Sequence, residues 1–587
     1  MNKHLNAMKT ALLCFCLLLF DVNLISDYTY DVLIEGTRII DGTGTEGFIA
    51  DIAIKNGKIQ SIGSVNGKAA ITIDGSGLIT CPGFIDPHTH ADGTILEYPQ
   101  AENFIMQGVT TVIAGNCGWS PAPEIGLTFG DWLSRVEKTG ISINYAPLVG
   151  HNAIRLLVMG DDFKRQAKVD EIAEMKIYAE EAMLSGAFGF SVGLDPGPGH
   201  FAHTEELVEL AKTVHEYEGI FVPHTRHTQT QWPTDNPEEV GYGIFLGPIE
   251  DAYIGRYRGY IEAIEVVKRT GIRLNIAHMG SAYVPVQPHP DFLEEAGARA
   301  TLEEIIDKSR ETGHEVSFDI MAYDGNISRK QKLREGIYSS SPALEWMEKL
   351  ELEEYQEKIK TADFRNRVRK ILKEGRLKLG MIHTKAFPYW MDCFKILTCT
   401  NKNLEGKTIA EISKLRNTGP IDTLFDILLD DFDTVWVQFF DPRMHPATIP
   451  VLLQHPFSMP STDVVSLPAD PGENLPVNPI AFGLFPHYIK RYVRELRVLS
   501  LEEAIRKATS LPANIFGLKN RGIIKEGNWA DILVFNLDEI SDKGDFLHPA
   551  KRPEGITHVL VNGVMVYQGM SHTGDKPGRV LRRNGNS

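Results

Sequence analysis

Cysteine is scarce in this chain. Six in 587 residues (Cys14, Cys16, Cys81, Cys117, Cys393 and Cys399) exclude a disulfide scaffold. Cys393 and Cys399 could pair if the protein is exported, but nothing in the sequence requires it. Positive charge is also short: 60 Lys and Arg against 77 Asp and Glu leave a net charge of −17, with nothing to neutralise nucleic-acid phosphates. Internal repeats and low-complexity tracts are lacking. Beyond the N-terminus no apolar run is long enough to cross a bilayer. The exception is the run Ala11 to Phe20, preceded by Lys3 and Lys9. It fits the basic and apolar regions of a signal peptide over residues 1–26 and is short for a membrane span. No A-x-A site follows, and neither Cys14 nor Cys16 has the small preceding residue of a lipoprotein signal. Export to the periplasm or exterior is expected; an uncleaved segment implies a membrane-anchored or cytoplasmic protein.

What remains is ordinary globular composition, 43% apolar and 23% charged. Residues 27–80 are short β runs such as Tyr30 to Ile34 and Ile52 to Ile54, parted by Asp41-Gly42, Asn56-Gly57 and Asp74-Gly75 turns. The texture returns in residues 519–587, at Ala530 to Phe535 and His558 to Gly563. Two half-sheets predict one discontinuous β-sandwich built from both termini. Between them, residues 81–518 alternate apolar runs with helical stretches such as Asp170 to Ser185, Gly259 to Thr270, and Thr204 to Tyr217 with Thr204 as N-cap. Such α/β alternation at this length predicts a (β/α)8 TIM-like barrel. Residues 338–433 are too long for one βα unit and predict an inserted helical subdomain that could lie over the mouth.

In such a barrel chemistry gathers where strands end. The first run ends at Asp86-Pro87-His88-Thr89-His90, whose alternate histidines point the same way along an extended segment. Later runs end at Asn116-Cys117-Gly118, His151-Asn152, His224-Thr225-Arg226, His278, Asp319 and Ser461-Thr462-Asp463. Histidine, cysteine and carboxylate are the usual zinc ligands. Any one of them alone is more often a core or surface residue; the recurrence at strand ends is the signal.

These residues carry a resemblance. Gly83 to His90, Gln107-Gly108-Val109-Thr110-Thr111, Gly115-Asn116-Cys117-Gly118, Gly150-His151, Ser191-Val192-Gly193-Leu194, His224-Thr225-Arg226, His278 and a C-terminal block from Leu501 to Ala530-Asp531 are similar to the amidohydrolase superfamily. Within it they resemble the N-acyl-D-amino-acid deacylase (D-aminoacylase) family, from about residue 30 to the closing Pro577 to Leu581. The resemblance implies Cys117, His224 and His278 as a tight Zn2+ site, and His88 and His90 as a second, weaker metal position. It implies Asp463 as general base and then acid. His151, Arg226 and Tyr323 are expected around substrate or behind the ligands. The implied partner is a small N-acyl amino acid or related amide, not nucleic acid, and the implied reaction is hydrolysis of a linear amide. Cyclic amidases of the hydantoinase and dihydroorotase types, a dipeptidase, or a catalytically silent binding homologue are the alternatives. The cyclic amidases bridge two metals with a carboxylated lysine from the fourth strand, and Ala187 to Gly199 contains no lysine.

The pattern breaks where the family holds the substrate carboxylate. The expected lysine two positions after His278 is Gly280, the expected arginine is Ile480, and Asp463 is followed by Val464 instead of glycine. A buried carboxylate then lacks its cationic partner. Arg226, Lys385 and Arg443 are the candidates to replace it. Acyl group, side chain, stereochemistry and oligomeric state stay open.

Overall fold

A computed structural model describes residues 29–583, apart from 125, 196, 227–248, 286–288, 325–328, 375–377, 380–381, 385–387, 440–444, 473–476 and 546–547. The expected signal segment therefore lies outside the described residues, as do Lys385 and Arg443. Among the described residues no helix is long and apolar enough to cross a membrane.

Eight positions around a parallel β/α barrel are filled in chain order. One arc joins Phe84–Thr89, Val109–Ala114 and Asn144–Pro147. The other runs Val149–Gly150, Gly189–Gly193, Ile220–His224, Arg273–Ile276, Val316–Ile320 and Ser458–Pro460. Nearly every strand residue is buried, as expected where a sheet is covered on both faces. The third strand passes through Leu148 from one arc into the other. Across the opposite seam, Thr462 Oγ1 and N donate to Asp86, and Asp463 N donates to His88 O at 2.9 Å. Closure at that seam thus brings the ends of the first and eighth strands together.

The two terminal half-sheets become one. In a nine-stranded sheet Ile532–Phe535 pairs antiparallel with Ile79–Pro82, which joins Tyr30–Ile39. Val32, Ile34, Ile52 and Ile54 share a core with Ile532, Val534 and Leu560. A buried polar knot ties this unit to the barrel: Arg521 pairs with Asp531, Asn562 N donates to Asp531 at 2.8 Å, and Asn144 Nδ2 donates to it at 3.1 Å. Removing one partner strands a buried charge. Arg521→Ala is expected to lower stability by about 3–5 kcal/mol, read from the urea midpoint.

The insertion carries its own core around Trp390, Phe394 and Trp436, with Phe394 stacked on Trp436 at 4.4 Å. Its helices include Leu352–Lys360, Ala362–Lys373 and Pro420–Asp430. It is not purely helical. Arg329–Lys332, Val435–Gln438 and Phe394–Thr398 form a three-stranded antiparallel sheet that reaches beyond residues 338–433. The unit leaves after the seventh strand and returns before the eighth, and Val284 from beyond the sixth strand packs into its core.

Two smaller expectations are corrected. His203 is the N-cap of the helix Thr204–Glu216, and Thr204, its first residue, spends its hydroxyl on Glu262 at 3.0 Å. Cys393 and Cys399 flank one strand, Phe394–Thr398, and are not bridged to each other. An extended strand of that length spans roughly 17 Å, far beyond disulfide reach.

Candidate metal centre

Local geometry explains why the ligand set converges. His88 and His90 close the first strand, and both Nε2 atoms face Asp463 Oδ1, at 3.3 and 3.1 Å. Cys117 sits in the turn after the second strand. There Gly115 (φ +88°) must be glycine, since a Cβ would stand 2.2 Å from Leu148 O. Ser191 Oγ accepts from Gly118 N at 2.9 Å and donates to Gly115 O, clamping the turn from the fourth strand. Cys117 Sγ then lies 3.4 Å from His88 Nε2, 3.5 Å from His224 Nδ1 and 3.5 Å from His278 Nε2.

Two ligand groups result, His88–His90–Cys117–Asp463 and Cys117–His224–His278, each with its donor atoms within 4.8 Å of one another. Cys117 belongs to both. Cys117, His278 and Asp463 all hold left-handed backbone, at φ 51°, 32° and 59°. Such conformations concentrate at functional sites because the fold must maintain them against strain.

Electrostatics fit a cation. Burial pushes the Cys117 thiol up, but the facing His88 and His224 outweigh it and hold the group well below its ordinary value, as a thiolate. Burial likewise opposes ionisation of Asp463, and His88 reverses it, holding the carboxyl well below its usual range. The imidazoles respond in kind. Burial disfavours the charged rings, yet Asp319 and Cys117 raise His88 well above its usual value. A bond to Asp463 lifts His90 to about 10, and Cys117 lifts His224 to about 10. Without metal, imidazolium protons balance the thiolate and carboxylate. A metal cation would take their place and release them. His224 Nε2, buried without a hydrogen bond, looks toward Asp195 Oδ2 at 3.5 Å.

The other expected residues lie elsewhere. His151 begins a helix and pairs with Glu206 at 2.7 Å in a buried group with Arg155. Its Nδ1 lies 3.3 Å from Asn152 Oδ1, and Asn152 in turn bonds the backbone of Gly193. Arg226 is held by Glu262 (2.8 Å) and by the carbonyls of His200 and Ala202 (2.6 and 2.7 Å). Tyr323 donates to Asp542 at 3.1 Å and lies 4.2 Å from the His487 ring, which ties it to the C-terminal segment. Gly280 is clamped at both its N–H and its carbonyl by the Tyr260 hydroxyl, and Ile480 is buried.

Asp86 and Asp319 stand at strand ends noted in the sequence without an assigned role, and Asp92 and Asp195 go unmarked. Asp92 takes Gly115 N at 2.8 Å, and Asp86 is pushed up to about 7 by burial. The available signal was a carboxylate inside an apolar strand, as in Phe84-Ile85-Asp86 or Phe318-Asp319-Ile320.

A barrel with histidine, thiolate and carboxylate at its strand ends is a scaffold suited to metal-centred hydrolysis. The model of the amidohydrolase family matches residues 72–193 and 405–567. The D-aminoacylase of Alcaligenes xylosoxydans xylosoxydans is 29% identical over 94% of this chain and 98% of that one. An N-acyl-D-glutamate deacylase from Bordetella bronchiseptica, solved with zinc and a phosphonate mimic of the tetrahedral intermediate, superposes with TM-score 0.68. It is 27% identical, over 94% of this chain and 99% of that one. A D-aminoacylase structure describing a binuclear metal centre, with one-metal activation and second-metal attenuation, gives TM-score 0.67 at 26% identity, covering 94% of this chain and 100% of that chain. The chain is similar to the amidohydrolase family, and within it to the N-acyl-D-amino-acid deacylases.

Proposed function

We propose that this protein is a zinc-dependent deacylase of N-acyl amino acids, of D configuration by analogy with its relatives, with an altered hold on the substrate carboxylate. The observation that carries the reading is Cys117, shared by two ligand groups with Asp463 inside one of them. Cys117, His224 and His278 would hold the tighter ion, and His88 and His90 the weaker. A zinc ion so held supplies Lewis acidity for the amide carbonyl and a water nucleophile at neutral pH. Asp463, facing the His88 and His90 imidazoles, accepts the proton of the attacking water. It returns that proton to the leaving nitrogen as the C–N bond breaks, giving a carboxylate and an amine. His88 and His90 orient Asp463 through the contacts they make with it.

Altered recognition is supported by Gly280 and Ile480 standing where the branch carries cations, and by Glu262, His200 and Ala202 engaging the Arg226 guanidinium. The test is zinc analysis together with a hydrolysis screen over N-acetyl-D- and L-amino acids, N-acyl amines and dipeptides. Zinc in the protein and cleavage of N-acyl amino acids are expected. No zinc, with stability unchanged by chelator, sinks the reading.

A further inference from the structure

Asp319 lies behind the ligand set and belongs to neither group. It is the fourth residue of the seventh strand Val316–Ile320, wholly buried, and the one carboxylate of that strand. Its Oδ1 accepts His278 N at 2.9 Å and Ser461 Oγ at 2.8 Å, and its Oδ2 accepts Asn275 Nδ2 at 2.8 Å. Oδ1 also lies 3.4 Å from His88 Nδ1, an ionic contact off the hydrogen-bond direction. One carboxylate therefore touches the first strand, the end of the sixth and the end of the eighth.

We propose that Asp319 is a positioning residue of the metal centre, aiming His88 Nε2 at the cation site and holding His278 in its left-handed backbone. The inference rests on the metal-centre reading above. An imidazole offers a lone pair at one nitrogen when the other keeps its proton, and a carboxylate beside Nδ1 keeps it there. His88 Nε2 is the nitrogen that faces Cys117 and Asp463, at 3.4 and 3.3 Å. At His278 (φ 32°) the bond from N–H to Asp319 fixes the turn from which the ring reaches Cys117. Ser461, two residues before Asp463, is anchored on the same oxygen.

A structural buried carboxylate would make the same neutral contacts, so the test must move the charge without deleting bonds. Three proteins are compared for Zn2+ binding by chelator competition, with melting recorded beside it: wild type, Asp319→Asn, and the exchange Asn275→Asp with Asp319→Asn. In the exchange the bond between these two side chains is restored with its direction reversed, but the charge stands away from His88. Zinc affinity is expected to fall 10–100-fold in Asp319→Asn and to stay low in the exchange. Wild-type affinity in either folded variant overturns the proposal. Should Asp319→Asn not fold, the exchange decides. In zinc-loaded wild type, 15N-histidine shifts supply a readout free of any variant: His88 protonated at Nδ1 is expected, and protonation at Nε2 overturns the proposal. Wild type that binds no zinc fails at the earlier step, the metal centre itself.

Discussion

Asp463→Asn is expected to keep zinc at Cys117, His224 and His278 while turnover falls by at least about 10²–10⁴-fold, the usual contribution of a general acid–base group. The amide has nearly the shape of the carboxylate and keeps an oxygen toward His88 and His90, which stand 3.3 and 3.1 Å away. It cannot accept the proton of an attacking water. Binding and chemistry should therefore separate: zinc content near that of wild type, with the loss in kcat. Turnover within a few-fold of wild type would place the base elsewhere in the cluster.

Cys117→Ser should do what Asp463→Asn does not. Serine removes the one donor common to both ligand groups and replaces a thiolate by a hydroxyl that stays protonated at neutral pH. Zinc affinity is expected to drop by more than the 10–100-fold that loss of an outer partner costs, and activity with it. Cys117 is buried, so a fall in melting temperature alone is ambiguous. The deciding measurement is zinc retained after gel filtration by protein that still melts cooperatively. Full retention would mean that the thiolate is not a ligand.

Together these variants and the Asp319 exchange divide the centre into parts that bind, react and aim. Asp463 sits in the backbone of a turn that also closes the barrel, its N–H donating to His88 O. Asp463, the proposed proton carrier, is thus held in the seam between the first and last strands.

Much of the site was legible because barrel geometry converts sequence position into place. A polar residue at the end of an apolar run faces the mouth whichever strand carries it, so His88, His90, Cys117, His224, His278 and Asp463 could be collected before any contact was known. The terminal half-sheets were legible for a similar reason: each is a small set of consecutive antiparallel strands with an apolar face that must be covered from elsewhere. The strands inside the insertion were harder to see. Arg329–Lys332 is a run of four polar residues whose place is set by pairing with Val435–Gln438, not by its own pattern.

Arg226 shows the limit most plainly. Its position after His224 made it a candidate for a substrate carboxylate, but sequence does not say which acceptors surround a guanidinium. Glu262, on the next described helix Ile249–Thr270, and two carbonyls take up donors of it. His151 is the same case, its Nε2 turned to Glu206 from the next helix but one. What the sequence by itself determined is the chemistry available: which residue types stand at strand ends, and hence a metal centre on a barrel. Only the tertiary structure decided how those donors are shared, with Cys117 in both ligand groups, Asp319 spanning three strands and Arg226 engaged by Glu262 and two carbonyls. Strand ends follow from local pattern, whereas hydrogen-bond partners are chosen among atoms that meet only when the chain closes.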